Sequence, residues 1–154
     1  ERDGPFSVFP GVDRTLVLLD GKGMRLTSDG GSLELRSAFD PVQFPGEPAL
    51  HCALVDGPTR DFNLMVRRDA ACGDVVVVRG AGRAIGPART LICFAATGAS
   101  ECLLAGYPPT PVPPGHALLV AAERGAAAPA VHVLPADASA VALVAVVLDP
   151  ATAQ

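Results

Sequence analysis

The chain has 154 residues, enough for one compact core or for two small barrels in a single chain. It carries 12 basic and 16 acidic residues, for a net charge of -4, so we expect neither nucleic acid nor an anionic membrane as its partner. No apolar run approaches the roughly 20 residues that cross a bilayer. Most charged residues lie in the first half, which is therefore the better candidate for chemistry.

Short runs rich in Val, Leu, Ile and Phe recur between turn signals such as Asp20-Gly21 and Asp29-Gly30-Gly31. Helical periodicity is hard to find, and even the Ala-rich stretch 138–147 favours strand because of its valines. We therefore predict an all-β sandwich or barrel. The predicted strands are residues 15–19, 24–27, 32–35, 50–55, 60–68, 75–79, 90–95, 116–121, 131–134 and 141–148.

Two pairs of similar segments within the chain indicate a duplicated β unit. Residues 16–26 align with 76–85, both reading as strand, Gly-x-Gly hairpin, strand. Pro45-Gly46 and the apolar run after it align with Pro114-Gly115 and its own run. We predict two β barrels or jelly rolls that meet near residues 69–73. The alternative is chance similarity, because Gly-x-Gly hairpins are common.

Residues that usually hold metals or attack substrates show no matching pattern. His51, His116 and His132 each stand alone in an apolar run, without a His-x-His or a carboxylate at ligand spacing, so we expect no metal and no cofactor. No serine lies in a nucleophile elbow, and the Gly-x-Gly pairs lack the strand-to-helix context of a phosphate loop. Widely spaced cysteines in apolar surroundings are typical of reduced thiols in a cytoplasmic protein: Cys52, Cys72, Cys93 and Cys102.

The segment 60–68 places charged and amide side chains inside a strand-like run. Side chains alternate between the two faces of an extended backbone. One face therefore carries Phe62, Leu64 and Val66, and we expect it to pack. The other face either holds a ligand or meets solvent, and it carries Asp61, Asn63, Met65 and Arg67.

Arg14, one residue before the strand predicted at 15–19, joins this polar face as a candidate anion binder. Arginine grips a carboxylate through a fork of two hydrogen bonds, and asparagine adds one donor and one acceptor. The alternative is an ion pair between Arg14 and Asp61 that only joins two strands.

Three segments stand out in combination: Gly-Pro-Phe-Ser-Val-Phe-Pro-Gly-Val-Asp-Arg-Thr-Leu at 4–16, Phe-Pro-Gly at 44–46, and Asp-Phe-Asn-Leu-Met-Val-Arg-Arg at 61–68. Together they resemble the HutD/Ves family, bicupin proteins that are encoded among bacterial histidine-utilisation genes. The resemblance implies an all-β bicupin, with cupin-like (jelly-roll) barrels at residues 1–70 and 71–154. Family members usually carry an upstream segment with Trp-Lys-Asn-Gly-Gly and Trp-Arg patterns, whereas this sequence has no Trp, so we expect the first barrel to miss upstream strands.

The resemblance also implies a function. Metal-dependent cupins use a His-x-His and Glu set that this chain lacks, so a metal-free, non-enzymatic cupin is indicated. The implied role is regulatory or accessory in histidine breakdown, through binding of a small carboxylate such as urocanate, formylglutamate or formate.

In that pocket we expect Arg14 and Arg67 to grip the anion, Asp61 and Asn63 to orient it, and Met65 to form an apolar wall. One alternative is a metal-independent enzyme that acts on the same histidine-degradation intermediates. Another is a homodimeric interaction module without a ligand, with the apolar second half as its interface.

Overall fold

The structure, a computed structural model, describes residues 3–123, 126 and 129–150. The chain divides into two compact units, residues 1–70 and 71–154. Within the described residues, the regular secondary structure is β-strand. No helix among these residues is long and apolar enough to cross a membrane. Each unit contains two antiparallel sheets. The predicted all-β, bicupin fold is confirmed.

The first unit holds two antiparallel sheets, with strand orders β1-β6-β3-β4 and β5-β2-β7. Its strands are β1 (Gly4–Pro5), β2 (Val12–Asp20), β3 (Met24–Ser28), β4 (Gly31–Leu35), β5 (Pro41–Pro45), β6 (His51–Leu54) and β7 (Arg60–Arg67). β7 is an edge strand that pairs with β2.

The second unit also holds two antiparallel sheets, with orders β13-β10-β15-β8 and β12-β11-β14-β9. Its strands are β8 (Cys72–Arg79), β9 (Arg83–Ile85), β10 (Thr90–Thr97), β11 (Ser100–Leu104), β12 (Thr110–Val112), β13 (Ala117–Ala121), β14 (Val131–Pro135) and β15 (Val141–Leu148). Its core cluster consists of apolar residues and includes Cys93 and Cys102, two of the three cysteines of this unit.

The two units repeat one strand order. Adding eight to each strand number converts β1-β6-β3-β4 into β9-β14-β11-β12, and β5-β2-β7 into β13-β10-β15, which leaves β8 as an extra strand outside β15. The predicted duplication is therefore present, but both sequence alignments were wrong. The counterpart of β2 is β10 rather than β8, and β6 corresponds to β14 rather than β13.

The Gly-x-Gly turns are not hairpins. β2 and β3 lie in different sheets, and so do β8 and β9, so each turn carries the chain from one sheet to the other. Two other connections are the hairpins. β3 pairs directly with β4, and β11 pairs directly with β12. A short strand-turn-strand pattern does not distinguish these two connections, which explains the error.

Strands β1, β5, β11 and β12 were not predicted, and β9 was predicted only as the second strand of the 76–85 segment. Three of them contain proline, which lacks a backbone N–H and so weakens a strand pattern. These three are all sheet edges, where proline is tolerated because one side of the strand makes no ladder. The sequence does not reveal which strand will be an edge.

The core of the first unit forms between its two sheets. Leu16 and Leu18 of β2 are fully buried, together with Phe44 of β5 and residues of the facing sheet, Met24, Leu26, Leu35 and Cys52. Alternation along β2 places Arg14 on the same face as Leu16 and Leu18. This face of the β5-β2-β7 sheet is called the interior face below.

Residues 6–11 fold across one end of this core. The N–H of Phe6 donates to the carbonyl oxygen of Leu50 at 2.7 Å, and the N–H of Phe9 donates to the carbonyl oxygen of Gly46 at 2.7 Å. A Cβ on Gly46 would lie 2.5 Å from the carbonyl oxygen of Phe9. Only glycine allows the two backbones to approach this closely.

We expect Gly46→Ala to lower the free energy of unfolding by about 1 to 3 kcal/mol, because the added methyl group must push backbone aside. Urea denaturation followed by circular dichroism measures the change. Gly30→Ala is the control, since the nearest atom to its Cβ, the Ser28 Oγ, is 3.8 Å away and the expected change is within about 0.5 kcal/mol. Equal stability of the Gly46→Ala variant and the parent would contradict this packing.

Candidate functional site

Arg14 is buried beneath three phenylalanines, with 4% of its surface exposed. Its guanidinium carbon lies 4.4 Å from the ring centre of Phe6, 5.4 Å from that of Phe9 and 5.2 Å from that of Phe44. Each distance is in the range of a cation–π contact, which favours a guanidinium with little access to water. The rings therefore stabilise a positive charge inside the end of the first unit.

The hydrogen-bonding capacity of Arg14 is incompletely used. Its Nη1 donates to the carbonyl oxygen of Ser7 at 3.3 Å, while its buried Nε has no hydrogen-bond partner in the described part of the chain. Burial lowers the pKa of Arg14, and the negative charge of Asp61 opposes that shift. A buried donor left unpaired costs about 1 to 3 kcal/mol, so this arrangement needs a reason beyond stability.

The register of β2 and β7 sets the polar side chains of β7 on the interior face. Met65 lies opposite Arg14, Asn63 opposite Leu16 and Asp61 opposite Leu18. Directly paired residues of antiparallel strands point to the same side of the sheet. Arg67 lies opposite Val12, so all five predicted site residues, Arg14, Asp61, Asn63, Met65 and Arg67, are on the face that encloses the core.

The interior face becomes exposed along β7. Leu16 and Leu18 are fully buried. Their neighbours on the same face are less so, because Asn63 is exposed and Asp61 is half-buried. Met65 is 39% exposed. The same face thus changes from a sealed core at β2 to a polar, solvent-accessible surface one strand away.

Arg67, the fifth predicted residue, lies at the rim. It is opposite Val12 on the same face, but its side chain is exposed and its Nη2 is 2.6 Å from the Oδ2 of Asp69. It lines a surface cavity of about 430 Å³ with Pro10, Gly11, Arg68 and Asp69. An anion at Arg67 must compete with the Asp69 carboxylate.

The three aromatic neighbours of Arg14 were missed as site residues. They are half of the six phenylalanines in the chain, and they lie in two of the segments that carry the family resemblance, 4–16 and 44–46. The sequence signal was the Phe-x-x-Phe pattern five residues before Arg14. Its role depends on the fold, because Phe44 reaches Arg14 only through the pairing of β5 with β2.

A second missed set lies outside the aromatic cluster. The Nη2 of Arg68 donates to the Asp13 Oδ1 at 2.7 Å, and its Nη1 donates to the Glu47 Oε1 at 3.0 Å. The same Glu47 oxygen accepts the N–H of Gly11 at 2.9 Å. This network joins the start of β2, the end of β7 and the loop after β5, and its hydrogen bonds lower the pKa of Glu47 to about 2.

Histidines and acidic residues do not gather into a metal site in residues 3–123, 126 and 129–150, where no group of three or more His, Cys, Asp or Glu side chains could hold an ion. His51, His116 and His132 are exposed. The Nδ1 of His116 lies 3.1 Å from the carbonyl oxygen of Pro114.

The two jelly-roll units in one chain define a bicupin. Its first unit holds a candidate binding site, in which an arginine enclosed by aromatic rings and a polar strand share the interior face. The HutD family model matches residues 1–137, and the chain belongs to this family. The resemblance read from the three sequence segments is therefore confirmed.

Similarity to individual relatives supports this family assignment. An uncharacterised 21.2 kDa protein in the hutC 3' region of Pseudomonas putida is 36% identical over 106 residues, which is 69% of this chain and 56% of that protein. The protein Ves of Cronobacter sakazakii is 38% identical over 98 residues, 63% of this chain and 54% of the relative. The chain thus matches a little over half the length of these relatives.

A solved structure has the same fold. The crystal structure of a conserved protein of unknown function from Pseudomonas aeruginosa PAO1 superposes with a TM-score of 0.83 at 28% sequence identity. The match covers 96% of this chain and 78% of that one. Both units of this chain are therefore included in the shared architecture.

The Arg68 network predicts a measurable titration. Glu47 should titrate near pH 2 in the folded protein, and its contribution to stability should be complete above its ordinary pKa of 4.5 and be lost as the pH falls toward about 2. In an Arg68→Gln variant the pKa of Glu47 should rise toward the ordinary value, with Gly11 still holding it somewhat below. Carboxyl NMR titration measures both.

Glu34 is an internal control in the same titration, because Arg36 and Arg25 lower its pKa to about 2 without involving Arg68. It should titrate identically in the parent and the variant. A Glu47 midpoint that does not move on substitution of Arg68 would show that this network does not set the charge state of Glu47.

Proposed function

We propose that the chain is a non-enzymatic binder of a small carboxylate, which occupies the interior face of the first unit next to Arg14. The observation that carries this proposal is the buried Arg14 guanidinium, whose Nε has no partner in the described residues, on a face where the neighbouring strand β7 carries polar side chains. An anionic ligand would complete the hydrogen bonding of Arg14 and offset the cost of burying its charge.

The neighbouring side chains have distinct roles in this proposal. Asn63 offers one donor and one acceptor to the ligand, and Asp61 orients any N–H group that it carries. Met65, directly opposite Arg14, supplies an adaptable apolar wall. Arg67 makes the first contact at the rim, where its pairing with Asp69 is exposed and therefore weak.

The family supports the proposed ligand class. The P. putida relative is described by its position in the hutC 3' region, and the family resemblance implies a role in histidine breakdown. Carboxylates of that pathway, urocanate, formylglutamate and formate, are therefore the first candidates, and ligand binding would modulate histidine utilisation. Cysteines that form no disulfide suit the reducing cytoplasm, where we place this function: Cys52, Cys72, Cys93 and Cys102.

Replacement of Arg14 tests the proposed anion grip. Arg14→Ala should weaken carboxylate binding by about 1.5 to 3 kcal/mol, the range for a hydrogen bond to a charged group. Arg14→Lys should recover only part of this loss, because lysine lacks the planar fork. Isothermal titration calorimetry with urocanate, formylglutamate and formate measures the effect at a temperature where each variant is folded. The proposal is wrong if the parent binds none of the three.

Asn63→Ala separates binding from folding, because Asn63 is exposed. We expect binding to weaken by about 0.5 to 1.5 kcal/mol while the free energy of unfolding stays within about 0.5 kcal/mol of the parent. Gln43→Ala is the matched control, since Gln43 pairs with Thr15 and so lies on the opposite face of the same sheet. Equal affinity of the Asn63→Ala and Gln43→Ala proteins would remove Asn63 from the site.

A further inference from the structure

One edge strand of the second unit differs from every other sheet edge in the described structure. The four sheets leave eight edge strands: β1, β4, β5, β7, β8, β9, β12 and β13. Seven of them contain a proline or a charged residue, devices that discourage pairing with another chain. β13, Ala-Leu-Leu-Val-Ala, contains neither.

β13 is also exposed and apolar on its outer side. In the described part of the chain it pairs only with β10, so its second edge has no strand partner there. Leu119 is 62% exposed, and Tyr107 beside it is 68% exposed. These two side chains line an open cavity of about 290 Å³ that runs along Leu118 to Ala121 and reaches Leu104 and Pro129.

The sequence of β13 fits its own copy. Read in either direction, the strand runs small, large, large, large, small, as antiparallel self-pairing about a two-fold axis requires. An axis at Leu119 places Leu119 opposite Leu119 of the second copy, and Ala117 opposite Ala121. Glu123 then lies opposite Gly115 rather than opposite its own copy, so no like charges meet.

We propose that β13 is a homodimer interface, in which two copies of this chain pair their β13 strands antiparallel about Leu119. The pairing joins two four-stranded sheets into one continuous sheet and covers Leu119 and Tyr107. It uses the second unit alone, so it is independent of the carboxylate site proposed in the first.

The molar mass in solution gives the first test. Sedimentation equilibrium of the parent should give twice the mass of one chain, with dissociation on dilution. Leu119→Lys should raise the dimer Kd by about a hundredfold or more, because two like charges would face each other at the axis. Val55→Lys, which changes another exposed aliphatic residue in the first unit, should leave the Kd unchanged.

A monomeric parent would overturn the proposal and would mean that β13 has a different occupant. A Leu119→Lys protein that stays folded by circular dichroism and dimerises like the parent would overturn it as well. If this variant does not fold, the register of the pairing is decided by cross-linking.

Cross-linking tests the register directly. Residues paired across antiparallel strands have Cα atoms about 4.5 to 5.5 Å apart, which a disulfide can span. Oxidised glutathione should therefore join two copies of a Leu119→Cys variant, as two thiols are oxidised and two molecules of glutathione are released. It should also join an Ala117→Cys protein to an Ala121→Cys protein, but not two copies of either.

The parent and a Val55→Cys variant serve as controls under the same oxidant, and covalent dimers are identified by intact mass. Cross-linking of Ala117→Cys to itself, or the same yield from Val55→Cys as from Leu119→Cys, would show that β13 does not pair about Leu119.

Discussion

The burial of one positive charge organises the end of the first unit. The Arg14 guanidinium can be withdrawn from water only if aromatic faces replace the solvent, and Phe6 and Phe9 do so by folding across the barrel end. That fold-over brings the Phe9 carbonyl against Gly46, where no side chain fits. The enclosure of the charge and the fold therefore depend on the same contact, because the segment that covers Arg14 also closes the core.

Duplication of a strand order does not duplicate the chemistry. The counterparts of β2 and β7 are β10 and β15, whose inward residues include Leu91, Cys93 and Val144 of the apolar core cluster. β15 is flanked by the additional strand β8, whereas β7 is an edge in the described structure and carries polar side chains on its interior face. An edge strand next to a buried charge is what distinguishes the first unit as the unit proposed to bind a ligand.

Local patterns predicted most strands because hydrophobic alternation and turn residues act over a few positions. They also separated the two faces of β7 correctly, since Leu64 and Val66 are buried while Asn63 and Met65 are exposed. They failed where the pattern was interrupted, as in β5 with its two prolines. They failed again at the Gly-x-Gly turns, where the same few residues serve a hairpin or a crossing between sheets.

The sequence by itself determined the β class, the presence of two similar halves, the family and the alternation that groups Asp61, Asn63, Met65 and Arg67. Tertiary structure decided which side of the sheet that group faces, because only the register with β2 sets Met65 opposite Arg14. It also decided that Arg14 is enclosed by Phe6, Phe9 and Phe44. Strand pairing joins residues far apart in the chain, and no local pattern encodes the partner or the register.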